Sequence, residues 1–143
     1  ELDVRVSAFI PDAYIESNVA RMDAYKEIAE INSLEREKEF RAAITDAYGI
    51  LPAEADSLID IAVVKMLAMK IGVKTVVVNK AESKLVFNGF NAFANPKLMT
   101  AIDEFGGNVK ISMSDEAALE FARTEADNAF MLKVMRTFLI SAV

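Results

Sequence analysis

Cysteine, histidine and tryptophan are all absent from the 143 residues of the chain. Without cysteine there is no disulfide, no thiolate-held zinc and no thiol nucleophile. Without histidine the commonest general base and metal ligand is missing, and a serine–histidine–acid triad cannot be assembled. Glycine is scarce, at 5 residues. No glycine-rich loop ends in Lys-Ser or Lys-Thr, and no Gly-x-Gly-x-x-Gly run follows a strand, so no phosphate cradle is legible. Each glycine reads instead as a helix end or a turn. No signal peptide opens the chain, and no apolar run reaches the ~18 residues that a membrane span needs. A cytoplasmic location is the expectation.

What is present describes a globular chain. Hydrophobic residues make up 53% and charged residues 27%, enough to build a core without staples. The length predicts a single domain over residues 1–143. The net charge of −6 and the pI of about 4.7 argue against phosphate-backbone binding, which needs clustered Lys and Arg. A protein partner is the easier expectation. The 7 methionines read as core filler at helical spacing. The chain opens on Glu1 and not Met, which leads us to expect a piece of a longer polypeptide.

Periodicity lays out the elements. Residues 4–9 read as a short strand stopped by Pro11. Ser17 or Asn18 caps a first helix whose stripe is Val19, Met22, Tyr25, Ile28 and Ala29. Asn32 with Glu35 fits a capping box for a second helix with Leu34, Phe40, Ile44 and Tyr48 inward. Gly49 ends it, and Pro52 opens a third helix that is apolar on more than one face and runs to Gly72. Residues 75–78 and 85–87 read as a hairpin across a turn at 80–83. Asn95-Pro96 starts a fourth helix that Gly106-Gly107 stops, and 109–113 alternates as a strand. Ser114, Asp115 and Glu116 then fit the start of one long last helix, with Ala118, Ala122, Ala126, Phe130, Val134 and Phe138 four apart. The order is β-α-α-α-β-β-α-β-α. This predicts an α+β fold, helices packed on a small, mainly antiparallel sheet. The break at 88–95 reads as a loop, not a domain seam.

Chemistry is thin. Asp56 and Asp60, and likewise Glu35 and Glu39, stand four apart on one helix face. Such pairs can hold a divalent cation or act as acid and base, as in a carboxylate-based hydrolase. They are also what a solvated helix face looks like. The run at 35–39 alternates in sign and reads as exposed. Asp46 lies in the last turn of the second helix, where the macrodipole disfavours a carboxylate, so a partner contact is one explanation for it. A second apolar stripe on the last helix, with Phe121, Met131, Met135 and Leu139, exceeds what one core needs. It fits a partner groove, or the packing face of a neighbouring domain.

Two segments carry a resemblance. The first is Ile10-Pro11-Asp12-Ala13-Tyr14-Ile15, followed by Arg21 and Tyr25-Lys26. The second is Asp46-Ala47-Tyr48-Gly49-Ile50-Leu51-Pro52, followed by Leu58-Ile59-Asp60-Ile61-Ala62 and Gly72. Together they resemble the C-terminal domain of transcription-repair coupling factors. The match is specific over residues 8–73, and beyond that it holds only in element order and length. Pro11, Tyr14, Arg21, Tyr48, Gly49 and Pro52 are its fold-defining positions.

The resemblance implies a non-catalytic regulatory domain of a bacterial, helicase-like, ATP-dependent DNA translocase. Such a protein clears RNA polymerase stalled at DNA damage and recruits UvrA in nucleotide excision repair. ATP and magnesium would belong to motor modules upstream, and no cofactor, nucleic acid or membrane to this domain. The domain would pack on the UvrB-like N-terminal module of its own chain, mask the UvrA-binding surface and hold the motor in check. Acids before the Gly-x-Leu-Pro turn would meet arginines of that module. Asp46 matches one of them, but the other expected acid is Ala43 here and the following Arg is Ala47, so Glu39 is the candidate substitute. The competing expectation is a free-standing docking module that uses the long last helix.

Overall fold

A computed structural model describes residues 1–123 and 126–143. It contains β1 (Leu2–Val4), α1 (Asn18–Ala29), α2 (Leu34–Tyr48), α3 (Ala53–Lys70), β2 (Val73–Val78), β3 (Ser83–Phe87), α4 (Pro96–Phe105), β4 (Val109–Ser112), β5 (Ala118–Phe121) and α5 (Asn128–Ala142). Two compact units divide the chain, one of Ser7–Met66 and one of Glu1–Val6 with Leu67–Val143.

The second of these holds a five-stranded sheet in the order β1-β2-β3-β5-β4. Only β1 and β2 run parallel, and the other three pairings are antiparallel. The expected α+β class and mainly antiparallel sheet therefore hold. Val76, Val77 and Val78 are buried in succession, which suits β-branched residues in a central strand. Asn95 caps α4 by accepting from the amides of Lys97 and Leu98, and Pro96 takes the first helical position, where its missing N–H is harmless. Phe105, Phe121 and Phe138 meet edge to face with centroids 5.2–6.3 Å apart, a favoured aromatic geometry.

The end of the chain differs from expectation. The long helix from Ser114 is instead a strand, β5, followed by a shorter helix, so the order becomes β-α-α-α-β-β-α-β-β-α. Residues 124–125 of that expected helix lie outside the described residues. Ala118, Leu119 and Glu120 favour helix locally, but β5 is paired on both sides, by β3 and by β4, and this ladder outweighs propensity. Asp127 is the true cap of α5, accepting from the amide of Phe130 at 2.8 Å. Glu116 does not charge a helix start. Its carboxylate lies 2.9 Å from the Lys74 ammonium, and that hydrogen bond and charge hold its pKa below the ordinary value. Phe121, Met131, Met135 and Leu139 are all buried. The stripe expected to exceed one core is core.

Smaller departures have local causes. The strand expected at 4–9 stops at Val4, with one more ladder bond from Arg5 N–H to the Val78 carbonyl, because β2 offers no partner beyond Val78. Ser33, not Asn32, caps α2, its Oγ accepting from Arg36 N–H at 3.0 Å. Val19, Met22 and Met69 are exposed, whereas α1 buries Ala24 and Ile28.

Leu119 is fully buried and pairs with Leu85 and Ile111, whereas Ala122 is exposed just past β5. Leu119→Ala is expected to cost ~2–5 kcal/mol in urea denaturation. Ala122→Ser is expected to stay within ~0.5 kcal/mol, although a continuous helical stripe would bury it.

Candidate functional site

The unit of Ser7–Met66 is built around an irregular segment, residues 7–17, that its helices hold by hydrogen bonds. Pro11 turns the chain, and its carbonyl accepts from Tyr14 N–H at 3.0 Å and Ile15 N–H at 3.3 Å. That turn sinks Ile10 and Ile15 into the core. Helix α1 secures both ends. The Tyr25 hydroxyl accepts from Ile10 N–H at 2.8 Å, and Arg21 Nη1 donates to the Ile15 carbonyl at 2.7 Å. Arg21 also reaches Asn18 Oδ1 through Nη2 and Asp12 Oδ1 at 3.6 Å.

The Tyr14 hydroxyl spans to the end of α2. It donates to the Gly49 carbonyl at 2.7 Å and lies 3.3 Å from the Ile44 carbonyl, while its ring meets that of Tyr48 at 5.8 Å. Gly49 has φ +93° and ψ −164°, a region open essentially only to glycine. Pro52 follows, its carbonyl accepting from Asp56 N–H as α3 begins. Pro11, Tyr14, Tyr48 and Gly49 thus meet in one joint between the segment before α1 and the end of α2, Arg21 holds that segment from α1, and Pro52 starts α3. Partial burial, and then the nearby Tyr48, raise the Tyr14 pKa above 10.0.

A second constellation was not anticipated. Arg41, on α2, places Nε 2.7 Å from Glu37 Oε2, Nη1 2.7 Å from Asp56 Oδ1 and Nη2 3.1 Å from Asp60 Oδ1. Glu37 and Asp60 are only 3% and 1% exposed as residues. Desolvation pulls the Arg41 pKa down, but hydrogen bonds to Asp56 and Glu37 and the charges of Asp60 and Asp56 leave it raised. Neither earlier reading of Asp56 and Asp60 fits, because Asp60 is not solvated and both face a guanidinium. The usable signal was Arg41 four residues after Glu37, with an acid pair on the next helix.

Outside this clamp α2 presents an exposed face. Glu39 lies 3.8 Å from Arg36, and Asp46 is exposed in the last turn with no ion pair among the described residues. Ala43, between them, and Ala47, just past Asp46, are exposed. Beside them a cavity of about 250 Å³ opens between α1 and α2, reaching Ala20, Asp23, Ala24 and Glu27. A smaller one of about 190 Å³ joins Glu27 to Arg36 and Glu39. Glu39 and Asp46 therefore stand about two turns apart on one face of α2, with Ala42 and Ala43 between. This surface can dock a partner. No cluster of three or more acidic residues arranged to hold a metal occurs among the described residues, and none of the described helices is long and apolar enough to cross a membrane.

The chain is similar to known proteins in sequence and in fold. The family model for the TRCF domain matches residues 4–98. A transcription-repair-coupling factor of Rickettsia prowazekii is 22% identical over 134 residues, covering 93% of this chain and 12% of that protein. The one from Rickettsia bellii is 26% identical over 77% of the chain and 10% of its own length. The Escherichia coli one is 31% identical over 52% of the chain and 6% of its own length. The chain thus spans about a tenth of the curated relatives it matches. A solved C-terminal domain of a transcription-repair coupling factor superposes with a TM-score of 0.78 at 20% identity, covering 99% of this chain and 92% of that one.

Arg41→Met withdraws the cation facing two buried carboxylates and is expected to cost ~3–5 kcal/mol in urea denaturation, with Lys a poor substitute for the fork. Tyr14→Phe is expected to cost ~1 kcal/mol at neutral pH. Because the folded Tyr14 pKa is raised, its contribution is fully present below the unfolded value of 10.0 and is lost as pH rises through the folded one. Tyr14→Phe should therefore remove an alkaline component of the stability profile.

Proposed function

The chain belongs to the transcription-repair-coupling factor family, and from that premise we propose that it is the non-catalytic, autoinhibitory docking domain of a longer DNA-repair protein. It packs through the outer face of α2 against the UvrB-like N-terminal module of the same chain. That contact masks the UvrA-binding surface and restrains the ATP-dependent DNA translocase until RNA polymerase is engaged. ATP and magnesium serve the motor modules, and the protein works in the cytoplasm, where its DNA and polymerase are.

The observation that carries this reading is Asp46. It is exposed, has no ion pair among the described residues, and sits where the helix dipole opposes it, so helix stability does not explain it. The Tyr14–Gly49 bond steadies the turn that follows, which holds the Asp46 end of α2 in one geometry. Glu39 adds a second carboxylate on the same helix. A latch of this kind can be weak, because tethering within one chain supplies a high effective concentration. It has to be weak if it is to open. Docking through the last helix, the competing reading, loses the stripe of Phe121, Met131, Met135 and Leu139, which is buried, and keeps the exposed Phe130 and Ile140.

Deleting this domain from the full-length chain is expected to leave DNA-stimulated ATP hydrolysis intact and to increase UvrA capture. Asp46→Ala should do part of the same while changing stability by no more than ~0.5 kcal/mol. Unchanged UvrA capture and unchanged basal ATPase on deletion would sink the latch.

A further inference from the structure

Between α1 and α2 the surface is hollow because small residues meet there. Ala20 and Ala24 of α1 face Ala43 and Ala47 of α2, with Phe40 beneath and Tyr48 at one end. Among the described residues, the charged ones lining this hollow are Asp23 and Glu27, one helical turn apart on α1. Both are exposed, and neither forms an ion pair among the described residues. Past Glu27 lies the separate, smaller hollow lined by Arg36 and Glu39, which stand 3.8 Å apart. An apolar floor and an uncompensated acidic wall thus occupy the same groove.

Few side chains suit both parts. A purely apolar knob would take Asp23 and Glu27 out of water with no counter-charge, at a cost that burial of the alanines cannot offset. An anionic group would be repelled. A long aliphatic stem with a cationic head suits the whole groove, since the stem lies on alanine methyls while the head meets the carboxylates. A guanidinium suits it better than an ammonium. Its planar fork engages carboxylate oxygens in parallel and lies flat on an aromatic ring, which the half-exposed Tyr48 supplies.

We infer that the α1–α2 groove is a socket for an arginine side chain of the docking partner, with Asp23 and Glu27 as the carboxylates that hold it. This rests on the docking role proposed above. It adds a contact on a second helix, with its charge supplied by α1 because Ala43 and Ala47 supply none. The interface then spans both helices, and the partner surface is basic where it crosses the groove.

The test uses the full-length chain. Asp23→Asn with Glu27→Gln keeps shape and removes charge at two exposed positions, and Asp103→Asn with Glu104→Gln does the same on α4 as a control. UvrA capture is measured for both, beside the wild type and the domain deletion. The socket predicts that the α1 pair raises UvrA capture about fivefold or more toward the deletion level, while the α4 pair does not. If deletion raises capture and the α1 pair leaves it at the wild-type level, the socket is wrong and the latch stands. If deletion itself has no effect, the latch fails and the socket falls with it.

Discussion

One guanidinium ties α2 to α3. Arg41 engages Glu37 on its own helix and Asp56 and Asp60 on the next, two of the three being almost wholly buried. Only a planar, permanently charged fork can serve three carboxylates approaching from two helices at 2.7–3.1 Å. Buried ion pairs are not strong sources of stability in themselves, because desolvation offsets most of the attraction. Their effect is on specificity, since any other register of α2 against α3 would part Asp56 and the buried Asp60 from Arg41. The clamp therefore fixes the rotation of α2 and decides which residues face outward, among them Glu39, Ala43, Asp46 and Ala47.

Tyr14 completes the arrangement from the other end. Its hydroxyl joins the Pro11 turn to the Gly49 carbonyl, so the segment before α1 and the turn after α2 are held together. Arg21 and Tyr25 secure the same segment to α1. Pro11, Tyr14, Arg21 and Gly49, four of the fold-defining positions, are thus occupied internally. The outward acids Asp23, Glu27 and Asp46 make no ion pair among the described residues and are available to a partner. Asp46 and Tyr48 belong to both the recognition motif and the docking surface: they lie in the second recognition segment, and they face outward, Tyr48 lining the groove.

What could be read in the chain was chemistry that acts over a few residues. Asn95-Pro96 and Gly106 delimit α4 as expected, because cap, first-turn proline and terminal glycine act locally. Ser17 caps α1 for the same reason. Strand β5 was hidden, because Ala, Leu and Glu favour helix and only distant partners on β3 and β4 make them a strand. Arg41 was hidden too, since Asp56 and Asp60 stand 15 and 19 residues away. Asp46 was legible from its position against the helix dipole. The α1–α2 groove was not, because a hollow made by alanines leaves no polar or periodic mark in a sequence.

In the proposed latch, the outer face of α2 is covered in the resting full-length protein. Carboxyl footprinting tests it most directly, comparing the full-length chain with one lacking its N-terminal module. Asp46 and Glu39 are expected to react more slowly in the full-length chain, while Asp103 and Glu104 on α4 react equally in both. Equal reactivity of Asp46 and Glu39 in the two proteins would contradict it.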